Sequence, residues 1–98
     1  MAKYFMTWEV NQSLMPTDPK ELAATVIKMG EMVKQGMKEG RTTDWGIFVD
    51  GAKGYSVGEA SALDLYKNLQ MYAPYIKFNV QEVLSIDDVL ETFKSMMG

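Results

Sequence analysis

Residues 54–84, GYSVGEASALDLYKNLQMYAPYIKFNVQEVL, decide the fold. They open on an extended run, YSVGEA, and close on IKFNVQEVL, where Ile76, Phe78 and Val80 alternate with Lys77, Asn79 and Gln81. Alternation with a period of two is the mark of a strand that has one apolar and one polar face. Between the two runs, Ser61 and Asp64 stand at capping-box spacing before ALDLYKNLQMY. There Leu65, Tyr66, Leu69 and Tyr72 trace one side of a helix that must end before Pro74. Strand, helix and strand follow one another with almost no connecting chain.

Working outward, TDWGIFV at 43–49 reads as a strand, and Asp50-Gly51 begins a DGAKG turn that joins it to YSVGEA as a hairpin. KYFMTWEV at 3–10 is a further strand, with Tyr4, Met6, Trp8 and Val10 on one face and Phe5, Thr7 and Glu9 on the other. The polar, proline-containing NQSLMPTDP follows, in which Thr17 or Asp18 can cap a helix whose first residue is Pro19. That helix runs to about Glu39, with Leu22, Val26, Met29, Val33 and Met37 as its apolar stripe and Gly40 as a left-handed stop. Ser85 and Asp88 repeat the capping-box spacing ahead of a short terminal helix with Ile86, Val89, Leu90 and Phe93 on its apolar side. The order is an α+β, ferredoxin-like βαββαβ plan with one extra C-terminal helix, forming a single domain over 1–98. Both long helices then cover one face of a four-stranded antiparallel sheet. The second strand offers Trp45, Ile47 and Val49 on one side and Phe48 on the other, and the first is apolar on both, so the opposite face reads as an interface.

Composition narrows the chemistry. A chain without Cys or His has no disulfide, no thiolate nucleophile, no cysteine-ligated metal centre and no histidine base, so no metal and no cofactor are expected. Thirteen acidic against ten basic residues, a formal charge of -3, supply no polycation for nucleic acid or anionic lipid. Lys53-Gly54-Tyr55 opens like the RNP1 motif of RNA-recognition domains, but Val57 and Ala60 stand where further stacking aromatics belong. Gly51-Ala52-Lys53-Gly54 has the GxxG form of a KH clamp without a helix on both sides, and reads as a turn. No nucleic-acid and no membrane partner is expected. MAKYFMTWEV carries no long apolar run, so neither a signal peptide nor a span is read there and a cytoplasmic location is expected.

The length, the order of elements and especially GYSVGEASALDLYKNLQMYAPYIKFNVQEVL (54–84) are similar to the dimeric α/β-barrel superfamily, which includes muconolactone-isomerase-like proteins. More narrowly, the set TWE (7–9), DWGIF (44–48), GAKGY (51–55) and PYIKF (74–78) resembles an uncharacterised single-domain family of about this length. The resemblance implies a homodimer in which two open sheet faces close into a barrel, often around a ligand cleft. It implies no single chemistry, because such barrels include isomerases, cofactor-independent monooxygenases, haem enzymes and plain binding proteins. Members that ligate haem through His, or use a His-Asp pair, are set aside for a chain without His.

Within that frame Glu9 is the candidate general base, and Thr7, Lys77, Asn79 and Gln81 share its sheet face as a polar stripe that can line a pocket. Trp45 and Tyr55 are candidate ligand contacts, Trp45 by stacking and Tyr55 by its hydroxyl. Each has a simpler role beside it: Glu9 and Lys77 as a cross-strand charge pair, Trp8 and Trp45 as core or interface packing, Tyr55 as a half-buried sheet residue. Nine methionines are many for 98 residues; Met6, Met29, Met37 and Met71 fall where they can fill a core or adapt to an apolar ligand. The expectation is a homodimeric small-molecule-binding or structural protein. The alternative is a cofactor-independent, isomerase-like or monooxygenase-like enzyme with Glu9 as its base and a small apolar or aromatic substrate.

Overall fold

The computed structural model describes residues 2–98. Its elements are β1 (Ala2–Val10), α1 (Pro19–Lys38), β2 (Thr42–Ile47), β3 (Lys53–Ala60), α2 (Ala62–Gln70), β4 (Ile76–Val83) and α3 (Ile86–Met96), with one 3-10 turn at Gln12–Leu14. The four strands form one open antiparallel sheet in the order β2-β3-β1-β4. This α+β arrangement is compatible with the ferredoxin-like fold.

Helix starts follow their caps. The Asp18 carboxylate accepts from the Glu21 backbone N–H at 3.1 Å, Ser61 from Asp64 at 3.2 Å and Ser85 from Asp88 at 3.0 Å. Each satisfies a donor that the first helical turn leaves without a partner. Gly40, at φ +82°, ends α1 in the left-handed conformation.

Two boundaries differ from the sequence reading. The second strand stops at Ile47 rather than Val49, because the Phe48 N–H pairs with the Lys53 carbonyl while the Gly51 N–H returns to the Phe48 carbonyl. The turn therefore consumes Val49, and left-handed Gly51 and Ala52 deliver the chain into β3 at Lys53, two residues before YSVGEA. The second helix ends at Gln70 rather than Tyr72. Met71, Tyr72 and Ala73 bond to carbonyls only three residues back, the tightened turn that commonly closes a helix.

The buried core is small and sits on the helix side of the two central strands: Tyr4, Met6 and Trp8 from β1, Ser56 and Ala60 from β3. On that side β3 presents only Gly54, Ser56, Gly58 and Ala60. Over this low strip Trp8 of β1 meets Trp45 of β2, rings parallel to within 15° and centroids 5.4 Å apart, although β1 and β2 are not neighbours. The Trp8 indole N–H donates to the Tyr55 carbonyl at 3.2 Å.

α1 does not settle along the sheet as its stripe predicts. Gly36, near its C-terminal end, is its one buried residue, seated against Thr42; toward the N-terminus Leu22 and Val26 remain 37% and 51% exposed. Met37 and Met71, expected as possible core, are exposed, as is Tyr66. The expected two-sided greasiness of the sheet is also limited, since Lys3, Thr7, Glu9, Lys77, Asn79 and Gln81 are all exposed. The molecule measures 63 × 26 × 21 Å, and its radius of gyration is 16.5 Å, against about 12.5 Å for a compact chain of this length.

The low strip gives a direct test. A Cβ at Gly54 would overlap the Gly46 carbonyl oxygen and the Trp8 ring. Gly54→Ala is expected to cost about 1–3 kcal/mol, the range for overpacking a filled site, read as a lowered urea midpoint. Unchanged stability would show that Trp8 does not lie over β3.

Candidate functional site

The sheet has two faces with different chemistry. On the open face the register aligns side chains in rows across three strands. Lys53, Glu9 and Lys77 form one row, Tyr55, Thr7 and Asn79 the next, and Val57, Phe5 and Gln81 the third. Of the candidate residues, Glu9, Thr7, Tyr55, Lys77, Asn79 and Gln81 thus share one face. Trp45 does not join them: paired with Ser56 on β3, it points to the helix side.

On the open face Phe5 and Tyr55 stack at 6.4 Å, and the Tyr55 hydroxyl donates to Asp44 at 3.0 Å. That hydrogen bond, with some desolvation and the carboxylate's charge behind it, holds the Tyr55 phenol above its usual range. Glu9 is exposed between its two lysines. Among the described residues the one ion pair within 4 Å is Arg41 with Glu39, at 3.0 Å. The Glu9 row is therefore an open, solvated arrangement of charges, with no wall around the carboxylate to exclude water.

The concave space lies on the other side. Because α1 touches down only near Gly36, a cleft of about 580 Å³ opens between α1, α2 and the sheet. Its floor is Met6, Trp8, Ser56 and Phe78, and its walls are the α1 stripe and the Leu65, Leu69 and Tyr72 side of α2. Trp45 closes one flank. Tyr72 packs edge-on against Phe78 at 5.7 Å. Burial pushes the Tyr72 phenol up, and the positive charge of Arg41 partly offsets this, so the phenol stays neutral at physiological pH and can both donate and accept a hydrogen bond.

One end of the cleft is polar. Arg41 and Asn68 line it and also line a smaller adjoining hollow of about 290 Å³ reached by Asp64 and Lys67. Arg41 holds the Glu39 carboxyl below its usual range, chiefly through their hydrogen bond. Among the described residues no three acidic side chains gather into a metal-holding group, and no helix is long and apolar enough to cross a membrane. Compared with protein families and with curated proteins, the chain matches none.

Sequence reasoning did not find Ser56, Asn68 or Arg41 as site residues. The signal was the run Gly54, Ser56, Gly58, Ala60: four small residues at period two keep a strand's covered face low and leave room above it. Arg41 had no local signature, because only the hairpin returning beside β2 brings it to the end of the cleft.

The Tyr55–Asp44 bond fixes a pH dependence. A raised folded-state pKa means that the neutral phenol is favoured in the native chain. The bond's contribution is present below the ordinary tyrosine pKa, about 10, and is lost as pH rises through the higher folded-state value. In a spectrophotometric titration Tyr55 is expected to ionise late, and Asp44→Ala to bring it back toward the ordinary range. A profile unchanged by Asp44→Ala would sink the assignment.

Proposed function

We propose that the protein binds a small molecule with an apolar, aromatic body and a polar end, without turning it over, and does so as a homodimer. The observation that carries the reading is the cleft. A volume of about 580 Å³ lies within the range typical of ligand pockets, which are largely apolar with a few fixed polar groups. The indoles of Trp8 and Trp45 offer a flat wall, Met6 and Met29 an adaptable lining, and Arg41, Asn68 and Tyr72 a place for a carboxylate, carbonyl or phenol. Absence of turnover is favoured by the position of Glu9, the best candidate base, on the opposite face of the sheet from this space.

Gly30 separates ligand binding from fold stability. It lines the cleft, and a Cβ there meets nothing within 4 Å. Gly30→Leu fills space and removes a helix-interior glycine, so it is expected to raise stability by about 1 kcal/mol. It should also weaken binding of 1-anilinonaphthalene-8-sulfonate, an aromatic anion whose uptake is read by energy transfer from Trp8 and Trp45. If the variant binds this probe as tightly as the parent, the cleft is not the site.

Homodimerisation through the open sheet face is the second element of the reading. Phe5, Tyr55 and Val57 form a half-exposed apolar centre, and Lys3, Glu9, Lys53, Glu59 and Lys77 surround it. An apolar centre with a charged rim is the anatomy of a protein interface, and lysines flanking a glutamate can be complementary to themselves across a two-fold axis. This is the assembly of the dimeric α/β barrels that the sequence resembles. Phe5→Lys combined with Phe48→Lys is expected to halve the assembly mass read by native mass spectrometry while the chain stays folded. An assembly mass unchanged by the two substitutions would refute pairing through this face.

A further inference from the structure

The terminal helix is the part of the molecule that its own chain leaves uncovered. Every residue of α3 is exposed, with Ile86 at 69% and Phe93 at 61%, and α3 makes no substantial packing contact with another element. Eleven residues are fewer than an isolated helix needs to persist in water. The Ser85 cap gives a start but no packing, so a stable α3 requires a surface for Ile86, Val89, Leu90 and Phe93.

In this conformation α3 packs on no surface of its own chain. The link from β4 is only Leu84 and Ser85, about 7 Å of chain. A nine-residue strand and an eleven-residue helix set end to end span about 47 Å, the larger part of the 63 Å length of the molecule. The exposed area points the same way. The chain presents 7298 Å², against about 5,700 Å² for a folded monomer of 11.1 kDa. The excess, on the order of 1,600 Å², is what one subunit contributes to a large permanent interface.

Charge selects the partner surface. α3 carries Asp87, Asp88 and Glu91 against Lys94, whereas α1 carries Lys20, Lys28, Lys34 and Lys38 against Glu21 and Glu31. α1 is also the helix whose apolar stripe stays open at Leu22 and Val26. We propose that α3 is an exchanged arm: its apolar face docks along α1 of a second copy, over the cleft, and the second copy returns its own α3 in the same way around a two-fold axis. A net-acidic helix is a poor match for an anionic lipid surface, which leaves the basic helix of another copy as the occupant. The proposal requires neither a ligand in the cleft nor contact between the open sheet faces.

The test uses the absence of native cysteine. Chains carrying Phe93→Cys are mixed under mild oxidation with chains carrying Val26→Cys, or Leu22→Cys one turn away so that a small register error does not decide the result. The expected product is a disulfide between unlike chains, at least tenfold above either homodimer, and the Val26→Cys, Phe93→Cys double variant should give a covalent dimer. Closure of that double variant as a monomer, or no disulfide between unlike chains at either position, overturns the proposal. Hydrogen exchange on the unmodified chain is the second readout. Amides of residues 89–94 should be protected when concentrated and lose that protection at least tenfold on dilution; protection independent of concentration, or none at any concentration, refutes the exchange. Because neither readout involves a ligand or Phe5, failure here leaves the binding reading and the open-face dimer standing, and failure of either of those leaves this result interpretable.

Discussion

Trp8 and Trp45 touch across a strand that lies between them, and most of the architecture follows from that contact. Neighbouring strands are separated by about 4.8 Å, so β1 and β2 stand nearly twice that apart with β3 in the gap. Two indoles can meet over β3 only if it raises nothing between them, which is the physical need for Gly54, Ser56, Gly58 and Ala60 on its covered side. The stacked pair adds about 0.5–1.5 kcal/mol beyond the area it buries. It also builds an aromatic ridge beside the low strip of β3. A helix laid over such uneven ground contacts it locally, and α1 does so near Gly36. The cleft is thus a consequence of how the sheet side chains are distributed by size.

The same distribution separates binding from charge. Apolar and aromatic groups that can hold a ligand face the helices, with Arg41, Asn68 and Tyr72 at the margin of the space they enclose. Most ionisable groups of the sheet face the other way, in open rows such as Lys53, Glu9 and Lys77. A general base needs a reacting C–H within hydrogen-bond distance and shelter from competing water. Glu9 lacks that shelter in the single chain, and the cleft, which is more recessed, has no carboxylate base at its centre. The proposed binding role rests on this division.

A second theme is surface that one chain leaves open. The buried core amounts to a few residues of two strands, and small domains have little apolar burial to spare. The half-exposed centre of the open sheet face, the exposed stripe of α1 and the wholly exposed α3 are three places where further burial would stabilise this fold. The proposed association with a second copy would supply it, at a cost in translational and rotational freedom that large interfaces exceed.

What the sequence determined by itself was local. Alternation in KYFMTWEV and IKFNVQEVL, the capping serines 61 and 85, Asp18 before Pro19, and Gly40 each act within one turn or one strand, and the structure places every strand and helix near those signals. The shared face of Thr7, Glu9, Lys77 and Asn79 was legible too, because strand period and ferredoxin-like order leave one register in which apolar faces coincide. Tertiary structure decided the rest. That Trp45 belongs with Trp8 and not with Glu9, that Arg41 reaches the end of a cleft, and that α1 touches the sheet only near Gly36 all depend on contacts between residues far apart in the sequence. Such contacts are set by how side-chain volumes fit over a folded sheet, a quantity that no single stretch of sequence contains.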